Sequence, residues 1–139
     1  MKTLHLIIYS PFGKYFDEEV EYISAHSTDY LLGILPGHAP LISTLAISIL
    51  EIKRAGKDYK YAIGGGVINI DEEKVTLMVE SIESGDELDV ERIKLAKQRA
   101  EERLKLDREK FSIDVKRAEA ALRRANNRLS LIESMHSKD

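Results

Sequence analysis

KVTLMVESIESGDELDVERIKLAKQRAEERL, residues 74–104, decides the fold, because its apolar period changes partway along. Val75, Leu77 and Val79 alternate with Thr76, Met78 and Glu80. Period two with β-branched residues is the signature of a strand. The pattern breaks at Gly85, and beyond it Ile93, Ala96, Ala100 and Leu104 recur at helical spacing. Asp86 or Asp89 suits the cap of a helix, and Glu91 in the first turn complements the helix dipole. The reading is therefore a β domain over residues 1–84 followed by a helical part over residues 85–139.

Toward the N-terminus the same strand period recurs. Leu4, Leu6 and Ile8 alternate with Thr3, His5 and Ile7, and end at the turn signals Ser10–Pro11 and Gly13. Glu19–His26 mixes Val20, Tyr22 and Ile23 with acids. Leu45, Ile47 and Ile49 alternate with Ala46, Ser48 and Leu50, and Tyr59, Tyr61 and Ile63 alternate with Lys60 and Ala62. Turn signals fall at Gly33, Gly37, Ala55–Gly56–Lys57, Gly64–Gly66 and Asp71–Glu73. Many short strands at this spacing predict a β-sandwich or barrel.

Toward the C-terminus, Phe111, Val115, Ala118, Leu122, Ala125, Leu129 and Ile132 step by fours and threes. That is a heptad seam. No Gly or Pro follows Gly85, so the chain reverses within residues 105–112, which contain Asp107 and a candidate N-cap, Ser112. The expectation is an antiparallel two-helix hairpin, with Ala96, Ala100, Ala118 and Ala125 allowing close approach. Helical stability comes mostly from tertiary packing. A lone hairpin is therefore marginal unless docked, and is able to open.

Composition narrows the function. Residues 1–88 carry seven Lys/Arg and fourteen Asp/Glu, whereas residues 89–139 carry fourteen Lys/Arg and ten Asp/Glu. An acidic body with a basic tail suggests different partners for the two parts. The overall net charge of −3 argues against general nucleic-acid binding. With no cysteine, neither a disulfide framework nor a thiolate metal site is available. No apolar run reaches the roughly 20 residues that span a bilayer, and nothing resembles a signal peptide. A soluble protein is expected, linked to a membrane only through a partner.

No cluster announces catalysis. Gly64–Gly65–Gly66 lacks the spacing of a phosphate loop and no helix follows it, so a bulge or tight turn is the better reading. His5, His26, His38 and His136 are scattered without ligand spacing, so no metal is expected. Leu35, Pro36, Gly37, His38, Ala39, Pro40 and Leu41 form a shaped loop, either an ordinary connection or a docking surface. Arg92 and Arg99 share nearly one face of the first helix, and Arg117, Arg124 and Arg128 share one face of the second. Converging guanidinium groups would suit a polyphosphate. The plainer alternative is a solvated surface with Glu101–Lys105 and Glu119–Arg123 paired at i,i+4.

GILPGHAPLIS at 33–43, GGGVINI at 64–70, LDVERI at 88–93 and KRAEAALRRANNRLS at 116–130 together resemble the epsilon subunits of bacterial F-type ATP synthases. The likeness covers essentially the whole chain. It implies a ten-stranded β-sandwich with a helical hairpin, and a non-catalytic rotor part of a proton-translocating synthase at the cytoplasmic face of the cell membrane. The implied partners are the gamma subunit, the ring of c subunits and the alpha/beta catalytic hexamer. The loop at 35–41 would meet the stalk base or the ring. The hairpin would fold down or extend along gamma and inhibit ATP hydrolysis, with Arg123, Arg124 and Arg128 as the inhibitory contact.

No cofactor is required, but some family members bind ATP as a regulatory ligand through a motif of the form [IL]-D-x-x-R-A. Leu88, Asp89 and Arg92 match it, and Glu83 lies where a supporting contact is found. Arg99, Arg117, Arg124 and Arg128 match the family's phosphate-facing positions. The departure is Ile93, where the motif has alanine. Its branched side chain would stand either beside the nucleotide or in the helix–helix contact.

Overall fold

The computed structural model describes residues 2–106 and 113–136. The chain divides into two compact units, Met1–Ser84 and Gly85–Asp139. The first holds eight strands: β1 (Leu4–Ser10), β2 (Gly13–Val20), β3 (Tyr22–His26), β4 (Leu31–Ile34), β5 (Leu41–Arg54), β6 (Lys57–Ile70), β7 (Lys74–Val79) and β8 (Ile82–Ser84). The second holds a 3-10 turn at Gly85–Glu87, then α1 (Val90–Leu106) and α2 (Ile113–His136).

One hydrogen-bonded path runs β2-β1-β7-β6-β5-β3-β4, with β8 also on β6. Every pairing is antiparallel except β1 with β7. The path folds into two layers because β5 and β6, each 14 residues long, serve both. Residues 66–70 of β6 pair with β7, whereas residues 61–63 pair with β8. Likewise the C-terminal part of β5 pairs with β3. Eight chain segments thus supply ten strand places: β2, β1, β7 and halves of β6 and β5 in one layer, and β4, β3, β8 and the other halves in the second.

The side-chain pattern follows this switch. Leu45 faces the core near the start of β5, but Leu50 and Ile52, of opposite parity, face it near the end. In β6 the inward set moves from Ile63 to Ile68 and Ile70. A strand passing from one layer to the other must change the face it buries, and bends or bulges make that change. Here it occurs opposite Gly64–Gly66. Gly65 holds φ +93, a left-handed conformation that side chains disfavour, and a Cβ on Gly66 would run into the Met78 carbonyl oxygen of β7. These glycines are therefore inside a strand, not in a turn between strands. Gly33 also departs from the expected turn. It lies within β4 opposite Ser24, with the Tyr22 side chain against it.

The core joins both layers. Leu4, Leu6, Ile8, Val20, Ile68, Val75 and Leu77 face Ile23, Ile34, Leu50, Ile52 and Ile63 in one apolar cluster. At one end β2 closes over β5 and β6. The Arg54 guanidinium lies 4.7 Å from the Tyr59 ring centroid and 5.8 Å from that of Phe16, and pairs with Glu18. Tyr15 and Tyr61 meet edge to face at 6.0 Å. Sequence periodicity missed β2 before Glu19, because Lys14, Asp17, Glu18 and Glu19 leave most of it polar and exposed. Such a strand is an edge, kept in place by its ladder with β1 and protected from further pairing by charge.

Asp89, not Asp86, caps α1. Its Oδ1 accepts the Arg92 N–H at 3.2 Å while its carbonyl accepts the Ile93 N–H at 3.0 Å. Ile93 and Ala100 of α1 and Ala118 and Ala125 of α2 are buried, in keeping with the heptad seam. Leu131, outside that seam, is also buried. Phe111 and Ser112 lie outside the described residues.

Candidate functional site

The sandwich presents an apolar row on the outside of its first layer. Leu4, Leu6 and Ile8 point inward, so His5, Ile7 and Tyr9 point outward. The register then places Tyr9 beside Met78, Met78 beside Val67, and Val67 beside Thr44. The next row sets Ile7, Thr76, Asn69 and Ile42 side by side. Met78 is 55% exposed and Ile42 71%. Phe12, fully exposed, tips the β1–β2 turn. At the other end of β1 the face becomes polar. His5 Nε2 lies 2.6 Å from Asp17, which also takes Lys14 Nζ at 2.8 Å. The bonded Lys14 ammonium, with His5 helping, holds the Asp17 carboxyl below its ordinary range.

Sequence reasoning overlooked Tyr9, Met78 and Ile42 as surface residues. The available signal was their parity: Met78 is a large apolar residue out of phase with Val75, Leu77 and Val79. A solvated sheet face ordinarily alternates to polar side chains.

The loop between β4 and β5 stands beside this surface in the chain, ending at Leu41 where β5 begins. A turn closes it, with the His38 N–H donating to the Leu35 carbonyl at 3.1 Å. His38 Nδ1 lies 2.6 Å from the Ala39 carbonyl oxygen. Leu35, Gly37, Ala39 and Pro40 are exposed, and Pro36, His38 and Leu41 half-buried. Leu35 and Pro36 also line an open groove of about 570 Å³ with Lys2, Glu21, Tyr22 and Lys53.

In the helical unit, Leu88, Asp89 and Arg92 come together in one turn through the Asp89 cap. Arg92, Arg99, Arg117 and Arg123 are exposed, and Arg124 and Arg128 half-buried. Among the described residues no ion pair engages Arg92, Arg99, Arg117, Arg123 or Arg124. The expected pairs Glu101–Lys105 and Glu119–Arg123 are not formed. Ile93 is buried, at 6% exposure. Glu83 lies on β8, half-buried, with its backbone opposite Ala62. Among the described residues no group of three or more His, Asp or Glu side chains is arranged to hold a metal, and no helix is long and apolar enough to cross a membrane.

Comparison with known proteins gives two adjoining family matches. Residues 3–85 match the β-sandwich domain of the ATP synthase delta/epsilon chain, and residues 86–133 match its long α-helix domain. An ATP synthase epsilon chain of Halalkalibacterium halodurans is 38% identical over 131 residues, covering 94% of this chain and 98% of that one. One from Pelotomaculum thermopropionicum is 44% identical over 103 residues, covering 74% and 77%. A chain in the Euglena gracilis mitochondrial ATP synthase, in an OSCP/F1/c-ring structure, shares the fold at a TM-score of 0.66 and 20% identity, covering 98% of this chain and 81% of that one. A chain from the Tetrahymena thermophila mitochondrial central stalk and c-ring does so at 0.60 and 10%, covering 94% and 97%.

Proposed function

The chain belongs to the ATP synthase delta/epsilon family, among the bacterial epsilon chains, and from that premise we propose how its surfaces serve the synthase. As an epsilon chain it is a structural stalk subunit and not itself a catalyst. In this reading the sandwich docks on the gamma subunit of a proton-translocating complex, at the cytoplasmic face of the cell membrane. The loop at 35–41 reaches the stalk base or the ring of c subunits.

The observation that carries the docking is the apolar row Tyr9–Met78–Val67, with Ile42 beside it. Exposed apolar patches of this kind mark interaction surfaces. A charge placed at Met78 or Ile42 would have to be desolvated on docking. Co-purification with the gamma subunit tests the reading. Met78→Asp and Ile42→Asp should melt like the parent chain yet lose gamma. Retention of gamma by both folded variants would move the docking surface elsewhere.

The hairpin is the regulatory part. Extended along gamma toward the alpha/beta hexamer, it would restrain ATP hydrolysis through Arg123, Arg124 and Arg128. Among the described residues Arg123 and Arg124 have no carboxylate partner, which supports this, because such charges remain available to an acidic surface. ATP is proposed as a ligand of the folded hairpin, held by Arg92, Arg99, Arg117, Arg124 and Arg128. Burial of Ile93 supports a role for it in setting the helix approach, rather than in touching the nucleotide.

A further inference from the structure

We propose that Met135 is a clasp on the first turn of the helical unit, released only when the end of α2 lifts away from Gly85. This rests on the reading of the hairpin as a part that opens. Gly85 is the first residue of the helical unit and begins the 3-10 turn that leads into α1. Its carbonyl accepts the Leu88 N–H at 3.3 Å. The Met135 thioether sulfur, in the last turn of α2, occupies the space where a side chain on Gly85 would begin. A residue without a Cβ is what lets the helix end come so near the turn. Methionine, unbranched and polarizable, conforms to such an irregular surface.

Among the described residues, the larger buried side chains of the helical unit lie near this root. Ile93 lies in the first turns of α1 and Leu131 in the last turns of α2, at 6% and 1% exposure. Farther along both helices, among the described residues, the buried positions are alanines: Ala100, Ala118 and Ala125. Burying an Ile or Leu side chain stabilises far more than burying a methyl group. Met135, at 43% exposure, is the rim of the root and the contact most easily given up. While it holds, the Gly85 end of the turn is packed under the thioether. Once it leaves, the turn and the Asp89 cap are free to rearrange.

Hydrogen exchange of the intact isolated chain, followed by mass spectrometry, reads this directly. Met135→Ser should speed exchange across residues 85–89 about fourfold or more, the scale of withdrawing one or two methylene-sized groups from apolar contact. Met135→Leu should keep the parent protection, and the sandwich peptides should not change. Unaltered exchange at 85–89 in Met135→Ser would overturn the proposal. So would an equal gain along the whole of α1 and α2, since Met135 would then be only one more packing residue. Neither result depends on gamma binding or on hydrolysis by the complex, so the stalk reading stands or falls separately.

Discussion

Arg92 lies in the first turn of α1, exposed, with its amide bonded to the Asp89 carboxylate. If ATP binds the folded hairpin, Arg92→Ala should weaken it strongly, because a phosphate or carboxylate would lose a charge-assisted partner. Binding by the parent chain should be weak, on the order of tenths of a millimolar to millimolar, since ordering a marginal hairpin consumes part of the interaction. Ile93→Ala should tighten binding if the branched side chain holds the helices apart. Calorimetry checks all three, and no heat from either the parent or Ile93→Ala would remove ATP from the account. Asp71 gives a pH test in the sandwich. Its Oδ1 accepts the Glu73 and Lys74 N–H groups at 3.0 Å each, and these bonds hold its carboxyl below the ordinary range. A depressed folded pKa contributes stability above the unfolded value, about 3.9, and loses it as pH falls toward the folded value. Melting temperature should therefore decline on acidification below about pH 4. Asp71→Asn keeps an acceptor for the turn and should flatten part of that decline in thermal melts.

The two classes of element respond differently to deletion and to core damage. Among the described residues the hairpin contributes no strand to the sandwich ladder. Deleting residues 89–139 should leave coupling largely intact and raise ATP hydrolysis by the assembled complex. Replacing Arg123, Arg124 and Arg128 with Ala should reproduce part of the rise. Unchanged hydrolysis after the full deletion would end the inhibitory reading. The long strands tolerate little. Leu50 on β5 and Ile68 on β6 are fully buried, on either side of the layer switch. Leu50→Ala or Ile68→Ala should cost about 2–5 kcal/mol in urea unfolding, because each removes apolar contact and leaves a cavity. Gly66→Ala should also destabilise the sandwich, since its Cβ meets rigid backbone of β7.

For the molecule as a whole, the expectation is that residues 1–84 fold alone and bind gamma. Their core cluster is composed entirely of sandwich residues. A cooperative melt followed by co-purification with gamma checks this. A truncated chain that stays unfolded, or folds without binding, would tie the two units together more closely than the core suggests.

Local chemistry alone carried much of this reading. Alternation marks the inward sides of β1 and β7, and the step of fours and threes marks α2. These features depend on neighbours within a few residues, so sequence displays them. The lengths of β5 and β6, their change of buried face, and the recruitment of polar β2 depend on partners far away in the chain. So do the place of Gly66 against Met78 and the nearness of Met135 to Gly85. Periodicity was visible in β5, but Leu45 and Leu50 face the same core only because the strand bends between two layers. The arginine residues were legible as stripes on separate helices. Which of them lack a carboxylate partner among the described residues, and that Ile93 is buried, came from the fold. A single strand or helix has no means of recording what will cover it, because burial is settled when distant segments meet.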